Sequence, residues 1–295
     1  MLGAVKATFC GALRSLYCAI SYFAMKLKHI TPSLYSDILS HEVLRMDVTE
    51  TKATCDQCLK ARAPTPLKER YQNHLKCCTY YPFVPNFAVG AILSDSTGRY
   101  EHAQKIIREL IQKRQYSLPI GLLTPVAYQL EFKNRKDGDF GHKEDWLCPY
   151  FHKEKNQCSI WSYRGTVCTT FYCKSSYGKK GQKYWSQMSD YLTYVEMALM
   201  EESLIRLDFS PRQISACLEY LNRDYGTAEE KKSWSMSAKT AKVFWRDYDS
   251  DQEGFFIKCF KIVKTFDRSD FKEMMGEQGL DIQNELLIAY ERLNI

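Results

Sequence analysis

Eight of the twelve cysteines in the chain form one ordered series, and the other four are isolated from it. Thiolates are the soft ligands that select zinc or iron-sulfur clusters in proteins. Two tetrahedral four-cysteine sites would use eight of them. The series therefore indicates a metal centre. Its members are Cys55, Cys58, Cys77, Cys78, Cys148, Cys158, Cys168 and Cys173.

The spacing within the series does not choose the metal. Cys55 and Cys58 enclose two residues, which places two sulfurs on one tight turn, as in zinc and iron-sulfur knuckles. Cys77 and Cys78 are adjacent, and because neighbouring side chains diverge in most backbone conformations, they can serve different sites. The intervals match neither a ferredoxin run nor a regular zinc finger. The metal can be zinc or an iron-sulfur cluster, and the cysteines can form one centre or two.

A second interpretation of these cysteines is that they are inert core residues. Single buried cysteines commonly behave as small apolar side chains, and this interpretation suits the four isolated cysteines, which are Cys10, Cys18, Cys217 and Cys259. A grouped series in a chain whose thiols stay reduced favours metal binding instead. Export from the cell would favour a disulfide framework.

The N-terminal segment is apolar but interrupted by Lys6 and Arg14. Its longest uncharged run, 15–25, is too short to span a bilayer. Arg14 also lies where the apolar region of a signal peptide would begin. We therefore expect no transmembrane segment and a cytoplasmic protein. Residues 1–24 are either an amphipathic helix or an artefact of a start that belongs at Met25.

Composition and motifs exclude several other classes. The chain has 295 residues with 45% hydrophobic content, enough for a substantial core without disulfides. The net charge of +6 comes partly from the first 36 residues, which contain no acidic side chain. No nucleic-acid motif accompanies the basic run 174–183. The common nucleotide-binding and hydrolase motifs are also missing. Catalytic residues cannot be assigned.

Hydrophobic periodicity predicts mostly helices. Apolar residues recur at three-and-four spacing over 99–115, over 185–207 and in further segments of the C-terminal third. Ser210 and Pro211 provide a helix start. The apolar run 86–93 is too short for its period to separate a helix from a strand, and we favour a helix. In contrast, 126–132 alternates between apolar and polar residues and predicts a strand.

These patterns predict a fold that is mainly α with minor β. We expect an irregular cysteine-rich metal-binding core with packed helices and a C-terminal helical segment. We divide the chain into an N-terminal segment (1–50), a cysteine-cluster metal-binding domain (51–185) and a C-terminal helical region (186–295). The pattern does not indicate an oligomeric state.

Two longer strings carry a resemblance to a known family. Residues 76–93, which contain the Cys-Cys pair, and 161–174, together with Cys148-Pro-Tyr-Phe, resemble the YkgJ-type cysteine-cluster family of zinc- or iron-chelating proteins, and within it a bacterial subgroup. The resemblance covers residues 50 to 190. It implies that the chelating set is Cys58, Cys77, Cys78, Cys148, Cys158, Cys168 and Cys173, with Cys55 as its partner. Many family members lack the eighteen-residue insert that separates Cys58 from Cys77 here.

Arg164 is the candidate for a supporting group in the centre. It lies between Cys158 and Cys168, where its guanidinium could donate hydrogen bonds to thiolate or sulfide and tune a cluster. A surface ion pair is the alternative. His74 and His152 are near the cysteines in sequence, but with eight thiols present we expect neither to be a ligand.

The sequence thus predicts a metal-binding protein that holds iron-sulfur clusters, with [4Fe–4S] favoured, or zinc. The resemblance also keeps open a cluster-dependent enzyme that modifies a protein substrate, because a flagellin lysine methylase carries a related cysteine motif. A zinc-stabilised interaction module, in which the metal acts only in folding, is another alternative. A protein substrate or a redox partner is the kind of partner these functions imply.

Overall fold

The computed structural model describes residues 30–48, 50, 66, 71–72, 74–75, 77–136, 138–172, 175–221 and 228–293. Within these residues the fold is mainly α-helical, with two small antiparallel sheets, which confirms the predicted class. The described residues do not include the possible start at Met25. They also exclude five cysteines, which are Cys10, Cys18, Cys55, Cys58 and Cys173.

Two one-turn helices open the described chain, α1 (Tyr35–Ile38) and α2 (His41–Leu44). Ser40 caps α2, because its hydroxyl accepts a hydrogen bond from the Val43 backbone N–H at 3.4 Å. Each helix buries apolar side chains, so this segment belongs to the core rather than to an arm.

A three-stranded sheet is interleaved with three helices. The elements are β1 (Val84–Pro85), α3 (Asn86–Leu93), α4 (Glu101–Gln112), β2 (Ser117–Leu118), β3 (Gly121–Leu122) and α5 (Val126–Lys133). The strand order is β1-β3-β2. Helix α3 is buried along its whole length, whereas α4 buries one face. Apolar spacing predicted α4, and α3 confirms the helix that we favoured over a strand for 86–93.

Helix α5 corrects the strand that alternation predicts over 126–132. Pro125 is the N-cap, and the backbone N–H of Gln129 donates to its carbonyl at 3.0 Å to close the first turn. Three consecutive residues are buried, Val126, Ala127 and Tyr128. A strand with one buried face would bury every second residue, so a short alternating pattern does not distinguish the two structures here.

The cysteine-bearing segment is irregular. It begins with a 3-10 turn (Glu144–Trp146), followed by a hairpin of two strands with two residues each, β4 (Phe151–His152) and β5 (Gln157–Cys158). A second 3-10 turn (Trp161–Tyr163) and the one-turn helix α6 (Thr166–Thr170) complete it. Short elements of this kind are positioned by tertiary contacts rather than by their own helix or strand propensity.

The C-terminal part of the described chain is helical, as predicted. It comprises α7 (Gly178–Ile205), α8 (Pro211–Leu218), α9 (Ala238–Trp245), α10 (Gln252–Val263) and α11 (Arg268–Glu291), with 3-10 turns at Glu219–Leu221, Glu230–Lys232 and Arg246–Tyr248. Ser210 and Gln213 form a capping box at the start of α8. Helix α11 is interrupted at Gly276, which has φ 57°.

Helix packing joins the cysteine region to the C-terminal helices. Helix α3 packs along α10, while α7 packs against α6 and α11. Buried Asn86 also crosses between the regions, because its Nδ2 donates to the Pro119 carbonyl at 3.2 Å and to the Ser203 hydroxyl at 3.0 Å. One core cluster contains buried residues from Ile30 to Leu293. The division at residues 50 and 185 remains a prediction.

None of the helices in the described ranges is both long enough and apolar enough to cross a membrane.

Candidate metal centre

Cys78, Cys148 and Cys158 are brought together by backbone contacts. The backbone N–H of Cys148 donates to the Cys78 carbonyl at 2.6 Å. The hairpin then turns the chain back, so that Phe151 pairs with Cys158. The Cys-Cys pair and the β4–β5 hairpin therefore meet at Cys148, although sixty-nine residues of sequence separate Cys148 from Cys78.

Cys168 arrives on α6, which packs against α7. The N-cap of α6 is Gly165, and a β-carbon at this position would collide with the Phe83 carbonyl oxygen. The close approach that glycine permits here holds α6 against the segment that follows the Cys-Cys pair. A third part of the series thus reaches the same region.

The thiols of this region influence one another. Burial raises the pKa of Cys168 to about 12, and the Cys158 and Cys77 thiols add to that rise. Burial likewise raises the pKa of Cys148 well above its ordinary value, with further contributions from Cys158 and Cys168. Desolvation and like-charge repulsion both disfavour thiolates, so ionising several of these groups together requires a cation.

Backbone N–H groups lie close to Cys148. Those of Tyr150 and Phe151 lower its pKa, against the larger effect of burial, and the Phe151 N–H donates to the Cys148 carbonyl at 3.0 Å. Polar groups that favour the ionised form offset part of its desolvation cost. The Cys148-Pro-Tyr-Phe turn thus reduces the cost of a thiolate, which is the form that binds metal.

Arg164 lies beside this cluster and is held by Trp161. Its Nε donates to the Trp161 carbonyl at 3.0 Å, and its guanidinium carbon lies 3.5 Å from the centre of the indole ring. The positive charge lowers the pKa of Cys168. Arg164 is therefore within electrostatic reach of one cysteine of the series, as a supporting role would require.

The two histidines named from the sequence have different surroundings. His152 stacks on His102 with ring centroids 4.1 Å apart, and its Nδ1 accepts a hydrogen bond from the Lys155 backbone N–H at 3.3 Å. His74 is exposed. Burial lowers the pKa of His102, and the neighbouring His152 lowers it further.

Glu196 is a site residue that the sequence interpretation missed. A carboxylate on a long helix is ordinarily solvated, whereas burial raises the pKa of Glu196 to about 7. Its Oε2 accepts a hydrogen bond from the Thr166 backbone N–H at 3.4 Å, at the start of α6. The helical period of the sequence could have revealed this burial, because Glu196 lies one turn from both Leu192 and Leu199, which are buried.

Glu50 is a second residue that the sequence did not reveal. It is only 3% exposed. Its carboxylate accepts hydrogen bonds from the Ser175 hydroxyl at 2.6 Å, the Ser176 N–H at 2.6 Å and the Trp185 indole N–H at 2.7 Å. Glu50 immediately precedes the segment of Cys55 and Cys58, and Ser175 follows Cys173. This carboxylate therefore joins the described ends of the two segments that carry the other three cysteines.

Buried aromatic residues lie close in sequence to the cysteines. Tyr81, Tyr150 and Trp146 are 2%, 0% and 2% exposed. Phe171, between Cys168 and Cys173, is 43% exposed. Tyr172 instead stacks on Trp185, with ring centroids 4.2 Å apart.

Five of the eight cysteines of the series lie within the described residues. Among the described residues, no group of three or more Cys, His, Asp or Glu side chains is close enough to hold a metal ion. Cys55, Cys58 and Cys173 lie outside those residues, so their place in the set stays a prediction. The described cysteines form no disulfide with one another. The isolated Cys217 and Cys259 are 1% and 0% exposed in the main core.

The chain matches no known protein family, no curated protein and no solved structure. The resemblance to the YkgJ-type cysteine-cluster family accordingly stays a prediction that rests on the cysteine strings.

Proposed function

We propose that this is a metal-binding protein that holds an iron-sulfur cluster or zinc through its cysteine series. The observation that carries the proposal is the convergence of three separate segments, which bring Cys77, Cys78, Cys148, Cys158 and Cys168 into one largely buried region. A cytoplasmic location fits the proposal, because thiols stay reduced there.

Ionising several neighbouring thiols in this region costs free energy. These thiols raise one another's pKa, and the backbone N–H groups beside Cys148 offset only part of the cost of its thiolate. A bound metal cation removes this cost, because it compensates the negative charge of several thiolates at once. Inert core cysteines would not need this convergence.

The first test is elemental analysis of the full chain after anaerobic purification. We expect at least about one metal per chain, because structural metal sites bind tightly. Brown protein with iron and labile sulfide identifies a cluster, and colourless protein with stoichiometric zinc identifies a zinc site. Metal-free protein would contradict the proposal.

A matched pair of variants tests the location of the site. Cys168→Ala should lose most of the metal, because it removes a thiol at the point of convergence. Cys217→Ala is the control: its thiol is buried in the main core, and burial is the cause of its raised pKa, with no cysteine contributing. It should keep the full metal content. Equal loss of metal in both variants would show that the series is not the site.

A further inference from the structure

Two buried tyrosines beside the cysteines have hydroxyl groups without hydrogen-bond partners. Tyr81 is 2% exposed and Tyr150 is 0% exposed. Neither hydroxyl oxygen has a partner in the part of the chain that the structure describes. A buried polar group left unpaired costs about 1–3 kcal/mol, and such groups are rare in folded proteins. Two of them in one region call for an explanation.

Both residues are fixed close to cysteines of the series. Tyr81 follows Cys78 by three residues, and its backbone is held by the Tyr128 hydroxyl at 3.1 Å and the Thr124 hydroxyl at 2.9 Å. Tyr150 follows Cys148 by two residues, and its carbonyl accepts hydrogen bonds from the Ser159 N–H at 2.9 Å and the Ser159 hydroxyl at 2.7 Å. The backbone of each tyrosine is thus fixed close in sequence to one partner of the contact between Cys78 and Cys148.

The two hydroxyls also share surroundings with each other. Burial is the main cause of the raised pKa of Tyr150, followed by Tyr81 and then Cys148. Burial and then Cys148 raise the pKa of Tyr81. Cys148 therefore contributes to the raised pKa of both phenols.

We infer that the hydroxyls of Tyr81 and Tyr150 are a donor pair for the electron-rich sulfur of the centre, whether metal-bound thiolate or inorganic sulfide. The inference rests on the proposed metal-binding function. A phenol O–H is a good donor, and sulfur bound to a metal carries the negative charge that makes it a good acceptor. Hydrogen bonds to such sulfur stabilise its lone pairs and set the reduction potential of a cluster. Tyr81 and Tyr150 are therefore positioning and tuning residues.

Phenylalanine variants of the full chain test the inference, because they keep the ring and remove only the hydroxyl. Tyr81→Phe, Tyr150→Phe and the double variant are compared with Tyr184→Phe. Tyr184 is also buried, but its hydroxyl contacts the Met46 sulfur at 3.7 Å and no cysteine contributes to its pKa. The readouts are metal content and sulfur-to-metal charge-transfer absorption, measured on the iron protein or on a cobalt-substituted zinc protein.

We expect the variants to retain metal while their charge-transfer bands move to longer wavelength, furthest in the double variant. In an iron protein the reduction potential should also fall. The Tyr184→Phe spectrum should match that of the wild type. Unchanged bands in a double variant that holds metal would overturn the inference and leave the proposed function intact. Wild-type protein that contains no metal would instead contradict the proposed function itself.

A measurement on the wild-type protein tests the inference even if the variants do not fold. Hydroxyl protons exchange with solvent faster than hydrogen-bonded backbone amides in a core. Brief transfer of the wild-type protein to D2O should therefore shift the metal–sulfur stretching frequencies in its resonance Raman spectrum. Frequencies that stay constant over this brief exposure would contradict the donor pair.

Discussion

At the scale of single residues, Glu196 shows how the fold changes the chemistry of a side chain. It lies on a 28-residue helix, where a carboxylate is ordinarily solvated, yet it faces the start of α6 and not the solvent. Desolvation favours the neutral acid, and the Thr166 N–H offsets this only in part. Glu196 also raises the pKa of the nearby Cys168 thiol. A protonated carboxyl at this position spares the cysteine region one negative charge.

The raised pKa of Glu196 predicts a pH-dependent stability. Below the ordinary carboxyl value of 4.5 both the folded and unfolded states are protonated, so the burial cost is not felt. Between 4.5 and about 7 only the unfolded state ionises, so the free energy of unfolding falls as pH rises. Glu196→Gln cannot ionise. Relative to wild type, it should gain stability across this pH window, by at most about 3 kcal/mol.

Urea denaturation of the wild type and Glu196→Gln at several pH values between 4.5 and 8 measures this difference. Parallel stability profiles for the two proteins would contradict a carboxyl group that is neutral in the folded state.

At the scale of elements, the length of a pattern decided what the sequence could predict. Helices α4 and α7 are long and carry an apolar stripe over several turns, so their period identified them. Helix α5 has eight residues and follows a proline, and its pattern was too short to separate a helix from a strand. The contact between Glu50 and Ser175 spans 125 residues. No local pattern encodes such a pairing, so part of the candidate site could be found only in the fold.

Helix α3 and helix α10 make a close crossing that depends on Gly90. A β-carbon at this position would overlap the backbone carbonyl of Phe256 and crowd Phe260. Because a backbone atom on a packed helix cannot move aside, Gly90→Ala should force the helices apart and cost about 3 kcal/mol of unfolding free energy. Thermal or urea denaturation measures the loss.

Gly98→Ala is the control for the Gly90 substitution. Gly98 has open space around its α-carbon, but its φ of +80° disfavours alanine. We expect a cost of only about 1 kcal/mol, from backbone strain. An equal loss in the two variants would show that the crossing of α3 and α10 is looser than the structure indicates.

At the scale of the whole molecule, the three regions divided by sequence share their contacts. Arg268 of α11 donates from Nε to the Leu39 carbonyl at 2.6 Å and from Nη2 to the Ser36 carbonyl at 3.1 Å, which ties the N-terminal segment to the last helix. Asn86 of α3 donates to the Met200 carbonyl of α7 at 3.4 Å. The candidate metal centre in the 77–168 segment is thus part of a core that also contains the N-terminal segment and the C-terminal helices.

This shared core predicts that loss of metal destabilises the whole protein and not one part of it. Binding energy at a site that exists only in the folded state adds to folding. A metal present at a hundredfold excess over its Kd adds about 2.7 kcal/mol, and each kcal/mol shifts the Tm of a chain this large by about 2–4 °C. Chelator treatment should therefore lower the Tm by at least about 5 °C.

The transition should also stay single, because α3, α7 and α10 belong to one packed unit. Far-ultraviolet circular dichroism reports the helices, and tryptophan fluorescence reports Trp146 near the cysteines as well as Trp185 and Trp245 among the C-terminal helices. The two signals should change together before and after chelation, with mock-treated protein as the reference. Chelation that separates them into two transitions would show that the cysteine region folds independently of the helices on which it is mounted.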